Sequence, residues 1–122
     1  MELQRRSEKP PILTRTEDHL ELFGAEDWEK IEDDLMSKPD LSDDVQKLRR
    51  FMVGNASDCP IDSQGRILVP PKMRQHAYLD TKVILLGVLD KIEIWDAELF
   101  EQHDSLTLAR YADIRKAVAA EN

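Results

Sequence analysis

The chain has 122 residues and a single cysteine, Cys59, which excludes an intramolecular disulfide and a cysteine-rich zinc site. Its net charge of −8 would disfavour a nucleic-acid partner if the charge were spread evenly, but residues 17–44 carry −10 and residues 62–82 carry +2. A local basic surface is therefore compatible with the composition. No apolar run approaches the roughly 20 residues of a membrane helix, and we expect a soluble intracellular protein.

An internal repeat organises the chain. It matches itself without gaps at an offset of 72 residues, so that residues 20–23 (Leu-Glu-Leu-Phe) fall on residues 92–95 (Ile-Glu-Ile-Trp). Each copy predicts an apolar strand, at residues 12–16 or 83–89, and a tight turn, at Asp18-His19 or Asp90-Lys91. A second strand, which alternates around a glutamate, and then a helix follow in both copies.

A longer helix is predicted between the two copies. Ser42 is a favourable N-cap, and Asp43 and Asp44 follow it in the first turn, where the helix dipole favours negative charge. Gly54-Asn55 provides a suitable end for this helix. The tail after His103 also has a helical pattern.

The second copy is preceded by a segment that the first copy lacks. Residues 56–69 predict a strand, a turn over residues 62–66 (Asp-Ser-Gln-Gly-Arg) and a second strand, followed by a short helix that Pro70-Pro71 opens. Asp62 and Gly65 suit a turn with a positive φ, and Arg66 at its exit could reach a phosphate or a guanine edge. From composition alone, an ordinary hairpin turn with one exposed arginine is the favoured interpretation.

The wider pattern is more specific. Asp62, Gly65, Arg66, the apolar residues 67–69, Pro70 and Arg74 together resemble the SpoVT-AbrB signature, and residues 83–96 resemble the second repeat of the MraZ family. The resemblance implies an α+β fold, in which two strand-turn-strand units form a small β-barrel flanked by helices. It also implies rings that bind repeated operator sites upstream of the division and cell-wall genes, with Arg66 in the DNA-facing loop. Lys72 and Arg74 lie just after Pro70-Pro71, at the start of the short helix, and we expect them to position phosphate.

Family members carry the Asp-x-x-Gly-Arg loop in both repeats, whereas here the first loop would precede Met1. The expected organisation is a partial first repeat at residues 1–36, a connecting helix at 37–55, a second repeat at 56–102 and a helical tail at 103–122. Two explanations stay open: a fragment with a misplaced start, or a reduced variant. We favour the fragment, because residues 1–6 could continue a short helix that begins upstream.

The leading hypothesis is a sequence-specific DNA-binding regulator, a repressor of the division and cell-wall cluster that acts at the nucleoid in the cytoplasm as a homo-oligomer. The alternative is an oligomeric interaction module, or an antidote-type partner, without autonomous DNA binding. We expect no enzymatic activity and no cofactor. The three histidines, His19, His76 and His103, are scattered along the chain and are interpreted as solvated surface, so no metal site is predicted.

Overall fold

The computed structural model describes residues 9–121, so the helix expected to continue through residues 1–6 lies outside the described residues. The strands are β1 (Ile12–Arg15), β2 (Leu20–Phe23), β3 (Ser57–Asp58), β4 (Val83–Val88) and β5 (Lys91–Asp96), and the helices are α1 (Ala25–Met36), α2 (Asp43–Met52), α3 (Pro71–His76), α4 (Ala97–Ala109) and α5 (Tyr111–Ala120). The predicted α+β class is confirmed. None of the helices in this range is long and apolar enough to cross a bilayer.

The strands form one antiparallel sheet in the order β3-β1-β2-β5-β4. Two hairpins supply four of them, β1–β2 and β4–β5, as the alternating apolar pattern predicted. The second hairpin turns at Leu89 and Asp90, one residue earlier than expected, and Lys91 is already the first residue of β5. Leu89 takes a positive φ of 55° to close this two-residue connection.

The two hairpins are related by a local pseudo-twofold axis. In the pairing of β2 with β5, Glu21 lies opposite Glu93, and these two residues are also 72 positions apart in the chain. The same offset carries β1 onto β4 and the start of α1 onto the start of α4. The axis therefore passes between Glu21 and Glu93, where the two halves of the sheet meet.

The main apolar cluster lies on one face of the sheet. Leu13, Leu20 and Leu22 from the first hairpin pack with Ile94 from the second, and the segment after β3 covers them with side chains that include Cys59, Met73 and Ala77. Cys59 is 2% exposed, and its burial raises the pKa of the thiol. The segment that leads into α3 is thus held against the sheet by the apolar area that it buries.

Two helices begin at residues whose side chains cap them, and Ser42 was predicted as one of these caps. Ser42 accepts a hydrogen bond from the backbone N–H of Val45 (3.3 Å), and α2 begins at the next residue. Asp96 accepts one from the N–H of Leu99 (3.0 Å) and opens α4. The segment after His103 is helical in the structure, through the rest of α4 and then α5.

The predicted hairpin over residues 56–69 is wrong beyond its turn. Residues of β3 pair with β1 instead of with residues 67–69, which form no strand. The two arms share a backbone hydrogen bond from the N–H of Asp62 to the carbonyl of Arg66 (2.8 Å), but Pro60 has no N–H with which to extend a ladder. The arm after the turn is held by side chains, since Ile67 and Val69 pack against the core.

The sheet is open among the described residues, with β3 at one edge and β4 at the other. The two halves of the sheet differ in how far equivalent side chains are buried. Leu13 in β1 is fully buried, whereas its repeat equivalent in β4, Leu85, is 65% exposed. The difference arises because the segment after β3 covers the first hairpin and Ile94 of β5 but leaves Leu85 on β4 exposed.

Candidate nucleic-acid interface

The turn over residues 62–66, which we call the 62–66 turn, is organised by one carboxylate. Asp62 Oδ1 accepts hydrogen bonds from the backbone N–H groups of Gln64 (2.9 Å) and Arg66 (2.8 Å). Gly65 donates its N–H to the carbonyl of Asp62 (3.0 Å) and adopts a φ of +78°, which is why glycine suits this position. The turn predicted from the spacing of Asp62 and Gly65 is therefore present.

The same carboxylate also orients the arginine. Asp62 Oδ2 accepts a hydrogen bond from Arg66 Nε at 3.1 Å. The pKa of Asp62 is lowered, first by the backbone N–H of Arg66, and then by the N–H of Gln64 and the arginine side chain, against a smaller opposing effect of desolvation. Arg66 itself stays 71% exposed at its side chain, so the turn anchors the base of the guanidinium and leaves the group at the surface.

The other two predicted contacts lie on α3. This helix begins at Pro71, and Met73 and Ala77 face the core. Lys72 and Arg74 are exposed, and neither forms a hydrogen bond or ion pair with the 62–66 turn in the part of the chain described. The structure thus places all three basic residues at the surface, within the segment of residues 62–76.

A cluster that the sequence interpretation missed lies where the two halves of the sheet meet. His19 Nε2 is 3.2 Å from Glu21 Oε2 and 3.8 Å from Glu93 Oε2, and Lys91 Nζ is 2.6 Å from that oxygen of Glu21 and 3.5 Å from that of Glu93. We call these four residues the central cluster. The interpretation of His19 as solvated surface is wrong, because its side chain is 12% exposed and its ring stacks on Trp95 with centroids 4.0 Å apart.

Charged forms are favoured inside the central cluster. Burial alone would lower the pKa of His19, but hydrogen bonds to Glu21 and Asp18 and the nearby negative charges raise it. Burial alone would raise the pKa of Glu21, but His19 and Lys91 lower it. Lys91 is likewise desolvated, and its pKa is nevertheless raised by Glu21 and Glu93. The internal repeat is the sequence signal that could have pointed to the central cluster, because it aligns His19 with Lys91 and Glu21 with Glu93.

The 62–66 turn, α3 and the second hairpin lie in the part of the chain that matches a known family. A sequence profile of the family described as "MraZ protein, putative antitoxin-like" matches residues 52–112, which is half of the chain. The chain belongs to the MraZ family. The resemblance inferred from the 62–66 turn and the hairpin after it is thereby confirmed at the level of the family.

Three relatives named Transcriptional regulator MraZ are similar to the chain. That of Thioalkalivibrio sulfidiphilus is 44% identical over 77 residues, which cover 63% of this chain and 51% of the relative. That of Alkalilimnicola ehrlichii is 41% identical over 83 residues, which cover 68% of this chain and 55% of the relative. That of Shewanella denitrificans is 39% identical over 95 residues, which cover 76% of this chain and 62% of the relative. The chain therefore spans about half to three-fifths of the length of these MraZ relatives.

Proposed function

We propose that the chain is part of a sequence-specific DNA-binding transcriptional regulator, in which Arg66 contacts DNA. The geometry of the 62–66 turn carries the proposal: Asp62 holds Arg66 by its Nε, and the side chain remains 71% exposed at a tight turn. This arrangement leaves the paired Nη donors for a guanine edge or a phosphate, the acceptors that a guanidinium fork matches best. The relatives are named as transcriptional regulators and not as enzymes, and the proposed function likewise includes no enzymatic activity.

Charge supports an approach of DNA from the side of α3. Lys72 and Arg74 are exposed there, and residues 62–82 carry a net charge of +2, whereas residues 17–44 carry −10. Phosphate is repelled by the acidic block, so we propose that α1 faces away from the duplex. Lys72 and Arg74 then position the backbone, while Arg66 reads a base.

We also propose that the regulator acts as a homo-oligomer, of the ring type that the family resemblance implies, bound to repeated sites at the nucleoid. The one 62–66 turn of a single chain binds DNA weakly. In an oligomer, binding of one turn raises the effective concentration of the other turns at the neighbouring repeated sites. β4 is an edge strand with exposed apolar side chains, so further strands could close the sheet into the expected barrel. A two-repeat organisation and repression of the division and cell-wall cluster complete the proposal.

Fluorescence anisotropy tests the proposal directly. The chain is titrated into a labelled duplex from the region upstream of its own gene and into a shuffled duplex of the same length and composition. We expect the natural duplex to bind more tightly by a factor on the order of 10³ at physiological salt. Equal affinities for the two duplexes would contradict sequence-specific binding, and no binding to either would contradict DNA binding altogether.

The second candidate is an interaction module without DNA binding. α4 and α5 have no buried residue, and their exposed apolar side chains include Leu106, Leu108, Tyr111 and Val118. A surface of this kind is typical of a site for a protein partner. The anisotropy titration separates the two candidates, because a module that works only through these helices leaves both duplexes unbound.

A further inference from the structure

The central cluster contains three metal-ligand atoms that converge on one point. His19, Glu21 and Glu93 each offer one ligand atom, and these three atoms lie within 4.8 Å of one another. The histidine nitrogen is 3.2 Å and 3.8 Å from the two carboxylate oxygens. Ligands of a tetrahedral zinc ion, bound at 2.0–2.2 Å, are about 3.3–3.6 Å apart, so small side-chain shifts suffice to bring all three to bonding distance.

The groups around these atoms resemble the outer shell of a metal site. Asp18 Oδ1 lies 2.8 Å from His19 Nδ1 and orients the ring so that Nε2 faces the two glutamates. A metal ion would displace the proton that Nε2 shares with Glu21. The indole N–H of Trp95 donates a hydrogen bond to Glu93 Oε1 (2.9 Å), and its ring stacks on that of His19. The ligand side chains are thus oriented by partners that do not themselves occupy the centre.

The local charge also favours a cation. Three carboxylates, from Asp18, Glu21 and Glu93, surround the histidine ring, and the permanent positive charge among them is the ammonium of Lys91. Once a metal ion has displaced the proton on Nε2, the imidazole is neutral and this group of residues carries a net charge of −2 before the ion is counted. Lys91 is flexible and a quarter exposed, so its ammonium can move to solvent when a stronger cation takes its place.

We propose that His19, Glu21 and Glu93 form a binding site for a divalent transition-metal ion such as zinc, at the junction of the two hairpins. One nitrogen and two carboxylate oxygens suit such an ion better than magnesium, which prefers oxygen ligands alone. The site joins β2 to β5 across the pseudo-twofold axis, so the bound ion cross-links the two halves of the sheet. It revises the expectation, drawn from the scattered histidines, that no metal site exists, and it does not depend on DNA binding.

Isothermal titration calorimetry on the metal-free chain tests the site. We expect saturable one-to-one binding of Zn²⁺, no comparable binding of Mg²⁺, and a rise in Tm with zinc. Glu93→Gln removes a ligand and should abolish the zinc isotherm, whereas the matched control Glu98→Gln, which changes an exposed carboxylate on α4, should leave it unchanged. Zinc binding that is absent, or equal in these two variants, overturns the proposal.

Two further variants separate this site from general surface binding. Lys91→Met removes the competing ammonium and should raise the zinc affinity, by a factor on the order of ten. Asp18→Asn weakens the orientation of the His19 ring and should lower the affinity by about 10- to 100-fold. An unchanged affinity in both variants contradicts the assigned ligands.

Nuclear magnetic resonance on the unaltered chain keeps the proposal testable even if a variant does not fold. The imidazole ¹⁵N signals of His19, His76 and His103 are followed as zinc is added. We expect the Nε2 signal of His19 to shift at one equivalent, while the signals of His76 show no comparable change. A shift confined to His76 or His103 assigns the zinc to another place and overturns the proposal.

Discussion

Gly65 is the residue on which the shape of the 62–66 turn depends most directly. Its φ of +78° disfavours any residue with a Cβ, although a Cβ built there would have open space within 4 Å. We therefore expect Gly65→Ala to lower the free energy of unfolding by roughly 1–2 kcal/mol through backbone strain alone. Urea denaturation monitored by tryptophan fluorescence measures this loss.

Gly87 provides a matched control for that substitution. It also has open space for a Cβ, but it lies in β4 without a positive φ. Gly87→Ala should raise the stability by about 0.5 kcal/mol, because glycine is unfavourable within a strand. Equal losses in the two alanine variants would mean that the positive φ of Gly65 carries no strain.

The carboxyl group of Asp62 should report on the hydrogen bonds within the turn. Its pKa is lowered chiefly by the backbone N–H of Arg66, so Arg66→Ala should raise the pKa only part of the way to its ordinary value. Since the pKa is lowered in the folded state, the stability that Asp62 contributes is present above the ordinary carboxyl pKa and is lost as the pH falls through the lowered value. Titration by ¹³C NMR in both proteins measures the shift, and an ordinary pKa in the unaltered protein would contradict the hydrogen-bonded turn.

At the scale of the elements, the β4–β5 hairpin contains a residue that fits its backbone poorly. Leu89 has a φ of +55° and its side chain is fully exposed, so it carries strain without burying apolar area. Leu89→Gly should therefore stabilise the protein by about 1 kcal/mol in urea denaturation. The control Leu68→Gly, at an exposed position without a positive φ, should lower the stability by about 0.5 kcal/mol. Destabilisation by both substitutions would contradict strain at Leu89.

The elements differ in how far the sequence could predict them. The β4–β5 hairpin and the N-cap Ser42 depend on neighbouring residues, and local patterns predicted them. The 62–66 turn was predicted for the same reason. The failure at residues 67–69 has a tertiary cause, because β3 pairs with β1 from the distant first hairpin and Ile67 and Val69 are held by packing. Alternation of apolar residues cannot distinguish a paired strand from such an extended arm.

The central cluster could not be predicted from sequence because it forms only at the scale of the molecule. His19 and Glu93 are 74 residues apart, and the pairing of β2 with β5 brings them together. The repeat aligned the residues in pairs but carried no information about which strands are neighbours. The exposed Arg66, in contrast, was predicted from a local motif.

The exposed edge of the sheet gives a prediction for the whole molecule. β4 has no charged side chain, and Leu85 is 65% exposed on the face that its repeat equivalent, Leu13, buries. Uncharged, exposed edge strands promote association, so we expect the chain to self-associate at micromolar concentration. Leu85→Lys should shift the molar mass from multi-angle light scattering toward that of one chain. A well-folded monomer before the substitution would contradict the proposed oligomer.

A contact between Arg66 and DNA can be measured by a single titration with two variants. The affinity for the duplex from upstream of the gene is measured for the unaltered chain, for Arg66→Ala and for Arg110→Ala, which removes an exposed arginine between α4 and α5. We predict a loss of about 1–3 kcal/mol in binding free energy for Arg66→Ala and less than about 0.5 kcal/mol for Arg110→Ala. Equal affinities for the two variants would contradict this contact and leave Arg66 as a residue of the turn alone.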